Sequence, residues 1–280
     1  MYKIILTCNV ITPMFMAGAD GKTPELRPSE FKGMMRFWWR AIKAESNIDN
    51  LRKEEAEIFG GTGEKEGKSK VKIRVIPENI QRDSYRRLPH SSSKIFRLDC
   101  FKNDSTFKIF LETYINIEFF SNLLTISTIL GGFGKGARRG FGSIEIFQPE
   151  ELNFGNLGRE EYLEKILEIL NQIDNHYKIQ NSKIVNTKSG GNYPWIKEIE
   201  IGKNYLDWEE LLKKIGDASH KHKDPSLGNA SPRMASPIYV SVIKIKNMYY
   251  PIVTTLESSF PTNYNFNLKK QDDFKREVLS

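Results

Sequence analysis

Gly131-Gly132-Phe133-Gly134-Lys135-Gly136-Ala137-Arg138-Arg139-Gly140-Phe141-Gly142 places six glycines, three cations and two phenylalanines in twelve residues. Glycine loses more backbone freedom than any other residue on entering a helix or strand, so this stretch ends one element and precedes another. Upstream, Leu123, Leu124, Ile126, Ile129 and Leu130 recur as a helix over residues 122–130; downstream, residues 143–147 read as a short strand. Farther upstream, alternation in Val71-Lys72-Ile73-Arg74-Val75 and from Phe107 to Ile117 predicts two more strands.

The start of the chain completes the set. Ile4, Leu6, Cys8 and Val10 alternate in a strand over residues 2–12, and Pro28-Ser29-Glu30 opens a helix whose Phe31, Met34, Met35, Trp38 and Ile42 form one apolar stripe. A short helix at residues 54–59 stops at Gly60-Gly61. The order strand, helix, strand, strand, helix, strand is the β-α-β-β-α-β arrangement of a ferredoxin-like, or RRM-like, domain. Residues 78–104, rich in Ser and Arg, then read as a mobile inserted loop.

Residues 149–158 read as a linker. Beyond them come a helix over 160–177, a strand over 196–201, a helix over 208–215, a polar loop over 219–233, and a hairpin of 238–245 with 249–256 across Lys246-Asn247. The fold class expected is therefore α+β: two ferredoxin-like domains packed together, at residues 1–150 and 151–280, the second irregular. The tail beyond Pro261 has no readable pattern.

Composition narrows the function. With 39% hydrophobic residues and no apolar stretch of membrane-spanning length, the chain reads as globular, with no membrane partner. Two cysteines, Cys8 and Cys100, suit a reducing compartment, and polar Thr7, Asn9 and Thr12 interrupt any secretion signal, so a cytoplasmic protein is expected. A net charge of +7 favours a polyanionic partner, but the positions of the cations decide more than their number.

Two groups of cations stand out. Lys32, Arg36, Arg40 and Lys43 repeat at three- or four-residue spacing along the first helix with no acid between them, a row able to follow a phosphate backbone. Trp38 and Trp39 adjoin it; being about 100° apart, at most one is expected deep in the core, with Trp39 a candidate to stack on a base or to cover a domain joint and a core role the favoured reading for both. In the glycine-rich loop, Lys135, Arg138 and Arg139 accompany glycines such as Gly132, whose bare amides can approach a phosphate.

Other motifs fall short. Residues 63–69 have three residues between glycines where a P-loop needs four, and residues 132–137 follow a helix where a dinucleotide fingerprint needs a strand. His220 and His222 lack further ligands, so no metal or other cofactor is expected. Asp20 and His90 are lone candidates for a general base that would activate a 2′-hydroxyl.

A resemblance gathers these features. Thr12-Pro13-Met14-Phe15, Gly18-Ala19-Asp20 and the run Glu25-Leu26-Arg27-Pro28-Ser29-Glu30-Phe31-Lys32-Gly33-Met34-Met35-Arg36-Phe37-Trp38-Trp39-Arg40-Ala41 resemble the start of the family formed by subunit one of the type III-B CRISPR Cmr complex. The glycine-rich loop resembles that of the wider RAMP superfamily, and Arg233-Met234-Ala235-Ser236-Pro237 resembles a motif in the second half of the same family. The resemblance implies two ferredoxin-like domains and a non-catalytic role, holding guide or target single-stranded RNA among other Cmr subunits in antiviral defence. The residues expected to grip RNA are Arg27, Lys32, Arg36, Trp39, Arg40, Gly132, Lys135, Arg138, Arg139 and Arg233. The alternative is a RAMP endoribonuclease acting on CRISPR RNA through Asp20 or His90.

Overall fold

The structure, a computed structural model, describes residues 1–63, 66–87, 97–231, 233–257, 260 and 265–280. Its first half runs β1 (Tyr2–Val10), α1 (Pro28–Lys43), α2 (Ile48–Phe59), β2 (Val71–Asn79), β3 (Arg82–Arg86), β4 (Arg97–Phe101), β5 (Thr106–Thr113), α3 (Ile117–Leu130) and β6 (Ile144–Gln148). The sheet order is β2-β5-β1-β6, all neighbours antiparallel. With β3 and β4 set aside, the strand-helix order read from the sequence is the order observed. The expectation of a mobile loop at 78–104 is corrected: β3 and β4 pair as a hairpin over Arg82↔Phe101 to Arg86↔Arg97, and Tyr85, Leu98 and Cys100 pack against the second half.

The second half runs α4 (Arg159–Ile173), β7 (Tyr177–Gln180), β8 (Lys183–Asn186), β9 (Trp195–Ile201), α5 (Trp208–Lys221), the two-residue pair β10 (Asn229–Ala230) and β11 (Arg233–Met234), β12 (Ile238–Ile245), β13 (Met248–Glu257) and α6 (Lys269–Leu279). Its main sheet is ordered β12-β13-β9-β8-β7. The stretch β9-α5-β12-β13-α6 supplies the first five elements of the first sheet's plan. The place beside β9, which β6 takes beside β1 in the first sheet, is held instead by β8, from upstream in the chain. The expected irregularity is thus a displaced fourth strand.

Helices α1, α3 and α4 lie between the two sheets, and α5 and α6 cover the far side of the second sheet. This layering explains why one apolar cluster spans both halves, from Leu6 and Phe107 on the first sheet to Ile199 and Leu256 on the second. It also corrects the helical-wheel expectation for the tryptophans. A helix sandwiched between layers buries more than one stripe, and Trp38 and Trp39 are 0% and 2% exposed.

Candidate nucleic-acid interface

The glycine-rich loop joins the end of α3 to the start of β6 and leans on three other segments. On one side it meets the first long loop: Lys135 N–H donates to Phe15 O (3.1 Å), Lys135 Nζ to Gly21 O (2.6 Å), and Gly142 N–H to Pro13 O (3.0 Å). At the start of α1, Gly134 N–H donates to Glu30 Oε1 (3.0 Å). Gly134 sits at φ +83 against the Phe15 backbone, where a Cβ would be both strained and in collision. On the other side, Gly140 N–H donates to Val240 O (2.8 Å), and a Cβ on Gly140 would meet Leu212 and Ile215 of α5.

These glycines therefore let protein backbone, rather than phosphate, come close. The amides of Phe133, Gly134, Lys135, Arg139, Gly140 and Gly142 all donate to protein acceptors. Gly132 is buried with no room for a side chain before the Phe141 carbonyl, so its part is packing. The charged groups that the loop offers an anion are its cationic side chains.

Those side chains divide sharply. Arg139 turns inward: Nη1 donates to Arg138 O (2.8 Å) and Ile238 O (2.9 Å), Nη2 to Leu227 O (3.0 Å) and Ser236 Oγ (3.1 Å), with Phe274 beneath the guanidinium. Burial, and then the adjacent Arg138, push its pKa down to about 10. Its donors tie the two halves together. Arg138 lies over the Tyr239 ring at 4.5 Å and donates to Ser236 O. The glycine-rich loop and the segment from Arg233 to Pro237, two stretches that carry the family resemblance, thus touch through Ser236.

The cations of α1 divide as well. Arg36 Nε and Arg40 Nη1 both contact Glu55 Oε1 of α2, at 2.6 and 2.5 Å, and Lys43 pairs with Glu54 (3.2 Å) and Asp174 (3.1 Å). Glu55 is 9% exposed, so this is a partly buried carboxylate holding two guanidiniums. Lys32, one turn earlier, has no such acid. Burial and the neighbouring Arg36 hold its ammonium below the ordinary lysine range. Arg27 reaches Ala17 O at 3.5 Å, and Arg233 is exposed on β11. Among the described residues, no carboxylate lies within ion-pair distance of Arg27, Lys32, Lys135, Arg138, Arg139 or Arg233.

Trp39 is withdrawn as a stacking residue, because its ring packs at 6.4 Å on Phe59 inside the core. Glu55 was missed by sequence reasoning. It lies 15 and 19 positions from its arginines, and no local spacing rule couples two helices across a turn.

Asp20 is a turn residue. Oδ1 accepts from the backbone N–H of Lys22 and Thr23, both at 2.9 Å, and Oδ2 from Thr23 Oγ1 at 2.5 Å. The Thr23 hydroxyl first, then these amides, pull its pKa to about 2, far from what a general base needs near neutral pH. His90 lies outside the described residues. His222 caps α5, and its Nε2 meets Glu277 Oε2 of α6 at 2.7 Å.

Comparison with known proteins gives this geometry a context. The RAMP superfamily model matches residues 7–145, from within β1 to the start of β6. A Pyrococcus furiosus protein described as CRISPR system Cmr subunit Cmr1-2 is 31% identical over 190 residues, spanning 54% of this chain and 99% of the relative. The chain belongs to the Cmr1 family of the RAMP superfamily. Its fold agrees. The crystal structure of apo Cmr1 from Pyrococcus furiosus superposes with a TM-score of 0.64 at 18% identity, covering 99% of this chain and 96% of that one. A chain of the cryo-EM structure of a type III-B Cmr-beta complex bound to cognate target RNA does so with a TM-score of 0.59 at 15% identity, covering 98% and 99%. Helix α1, the glycine-rich loop and residues 233–237, on which the resemblance rests, are in contact through Glu30–Gly134 and through Ser236 with Arg138 and Arg139.

Proposed function

We propose that this Cmr1-family chain is a non-catalytic, RNA-binding subunit of a type III-B CRISPR effector complex in the cytoplasm, contacting guide or target single-stranded RNA beside other Cmr subunits. Its two halves, residues 1–150 and 151–280, act as two ferredoxin-like units, the second with its fourth strand displaced. Among the described residues no helix is long and apolar enough to cross a membrane.

One observation carries this reading: five cations, two of them in the glycine-rich loop, have no carboxylate within ion-pair distance among the described residues. Arg27, Lys32, Lys135, Arg138 and Arg233 would meet phosphates, while Arg139 acts from within by fixing the loop. A phosphate within reach of the Lys32 ammonium relieves its repulsion with Arg36, so anion binding and local electrostatics favour each other. Phosphate contacts carry no sequence information, so selectivity comes from guide pairing.

Fluorescence anisotropy with labelled single-stranded RNA tests this. Binding should weaken steeply with salt, and Lys135→Glu with Arg138→Glu should lower affinity at least tenfold. Unchanged affinity in that double variant would refute it. Incubation of labelled RNA with pure protein addresses cleavage: products lost in Asp20→Ala or His90→Ala would replace the non-catalytic reading with the endoribonuclease.

A further inference from the structure

Beside α1 lies a cavity of about 330 Å³, within the roughly 300–1,000 Å³ range of small-molecule sites. Phe37 and Arg40 of α1 form one wall. Ile48, Arg52 and Glu55, which share one face of α2 at helical spacing, form the second. Tyr193 and Pro194 close the third. The closing loop is pinned in place: Gly191 N–H donates to Glu45 O (3.1 Å), Tyr193 N–H to Gly191 O (2.9 Å), and a Cβ on Gly191 would press on Ser46 O at 2.8 Å. The cavity is thus formed before any ligand arrives.

Its chemistry is specific in kind. Two aromatic side chains, Phe37 and Tyr193, line it. Arg40 gives Nη1 to Glu55, and among the described residues no acceptor is bonded to its other N–H groups. Glu55 Oε1 holds the Arg40 guanidinium at the cavity wall. Flat rings beside oriented donors and a carboxylate suit the face and polar edge of a nucleobase.

Position adds the second argument. Phe37 packs on Tyr239 at 5.4 Å, and Tyr239 lies beneath Arg138 at 4.5 Å. The cavity is therefore two ring contacts away from Arg138, which has no carboxylate partner among the described residues. A strand whose phosphates meet Arg138 has a neighbouring nucleotide within reach of Phe37.

We infer that this cavity receives one unstacked base of single-stranded RNA, which makes it a base-binding subsite distinct from the phosphate-binding cations. The inference rests on the RNA-binding role proposed above. Stacking on an aromatic side chain is worth about 1–3 kcal/mol per base, so one occupied subsite should change affinity about tenfold.

The decisive comparison uses two RNAs of equal length, one fully base-bearing and one with a run of abasic nucleotides, titrated against the full chain by anisotropy. Wild type should bind the base-bearing strand about tenfold more tightly. Tyr193→Ala should abolish that preference without changing affinity for the abasic strand. Ile48→Trp, which fills the cavity from its rim while leaving the Arg36–Glu55–Arg40 cluster in place, should do the same, and circular dichroism checks that each variant is folded. If wild type binds both strands equally, or both folded variants keep the preference, the base subsite is wrong while the RNA-binding role stands. If neither strand binds, both readings fall.

Discussion

The paired and the unpaired cations of this chain look alike in sequence and differ in the folded structure. Arg36, Arg40 and Lys43 are answered by Glu55, Glu54 and Asp174, whereas Arg27, Lys32, Lys135, Arg138 and Arg233 face no carboxylate among the described residues. A cation that has an acid joins two elements; a cation without one leaves a field for a mobile anion to neutralise. Charge spacing along one helix therefore says little until the helix beside it is known.

The sharpest way to break this comparison is Arg139→Met. That side chain has no acid among the described residues either, yet it is committed to four protein acceptors, and its loss takes a donor from three carbonyls and from Ser236 Oγ. Denaturant unfolding should show a loss of about 3 kcal/mol. An effect near zero would mean that the guanidinium is available to RNA after all.

Next in size is Glu55→Gln, which leaves Arg36 and Arg40 without their charge partner. Both arginines are more than a third exposed, at 39% and 35%, so water screens part of the cost and the expected loss is about 2 kcal/mol. Affinity for abasic single-stranded RNA at low salt should rise in the same variant, because the guanidiniums are freed for phosphate. Falling affinity for that strand would show that Glu55 organises the phosphate contacts rather than competing with them.

Smaller again is Lys135→Gln with Arg138→Gln, which should leave stability within about 1 kcal/mol and lower RNA affinity about tenfold. The slope of log affinity against log salt should flatten by roughly 0.7 for each phosphate that the variant no longer neutralises. The smallest change is expected for Arg36→Met, whose paired charge should cost stability about 1 kcal/mol and leave the salt slope of RNA binding as it was. A flattened slope there would erase the distinction between the two groups.

The elements followed from pattern where the pattern was long. Helix α1 was readable from Phe31 to Ile42, and the β12–β13 hairpin from its alternation across Lys246-Asn247, both at positive φ of 46 and 65 as a tight turn needs. Shorter signals escaped notice. The β7–β8 hairpin turns at Asn181-Ser182, φ 51 and 57, without the glycine that usually marks such a turn. Helix α6 buries only Phe274 and Val278, too few to show a period. The β3–β4 hairpin is polar on its exposed side and becomes ordered by packing Tyr85 against Trp208 and Phe141.

Sequence by itself determined the family, the succession of strands and helices in the first half and the crowding of cations in the glycine-rich loop, because these depend on local periodicity and on residue types in a fixed run. Tertiary structure alone decided that the loop's glycines admit backbone, that both tryptophans are core, that β8 replaces a fourth strand, and that Glu55 claims Arg36 and Arg40. Each of these is a meeting of residues distant in the chain. Whether a buried charge, amide or ring is free or taken depends on what the fold brings against it.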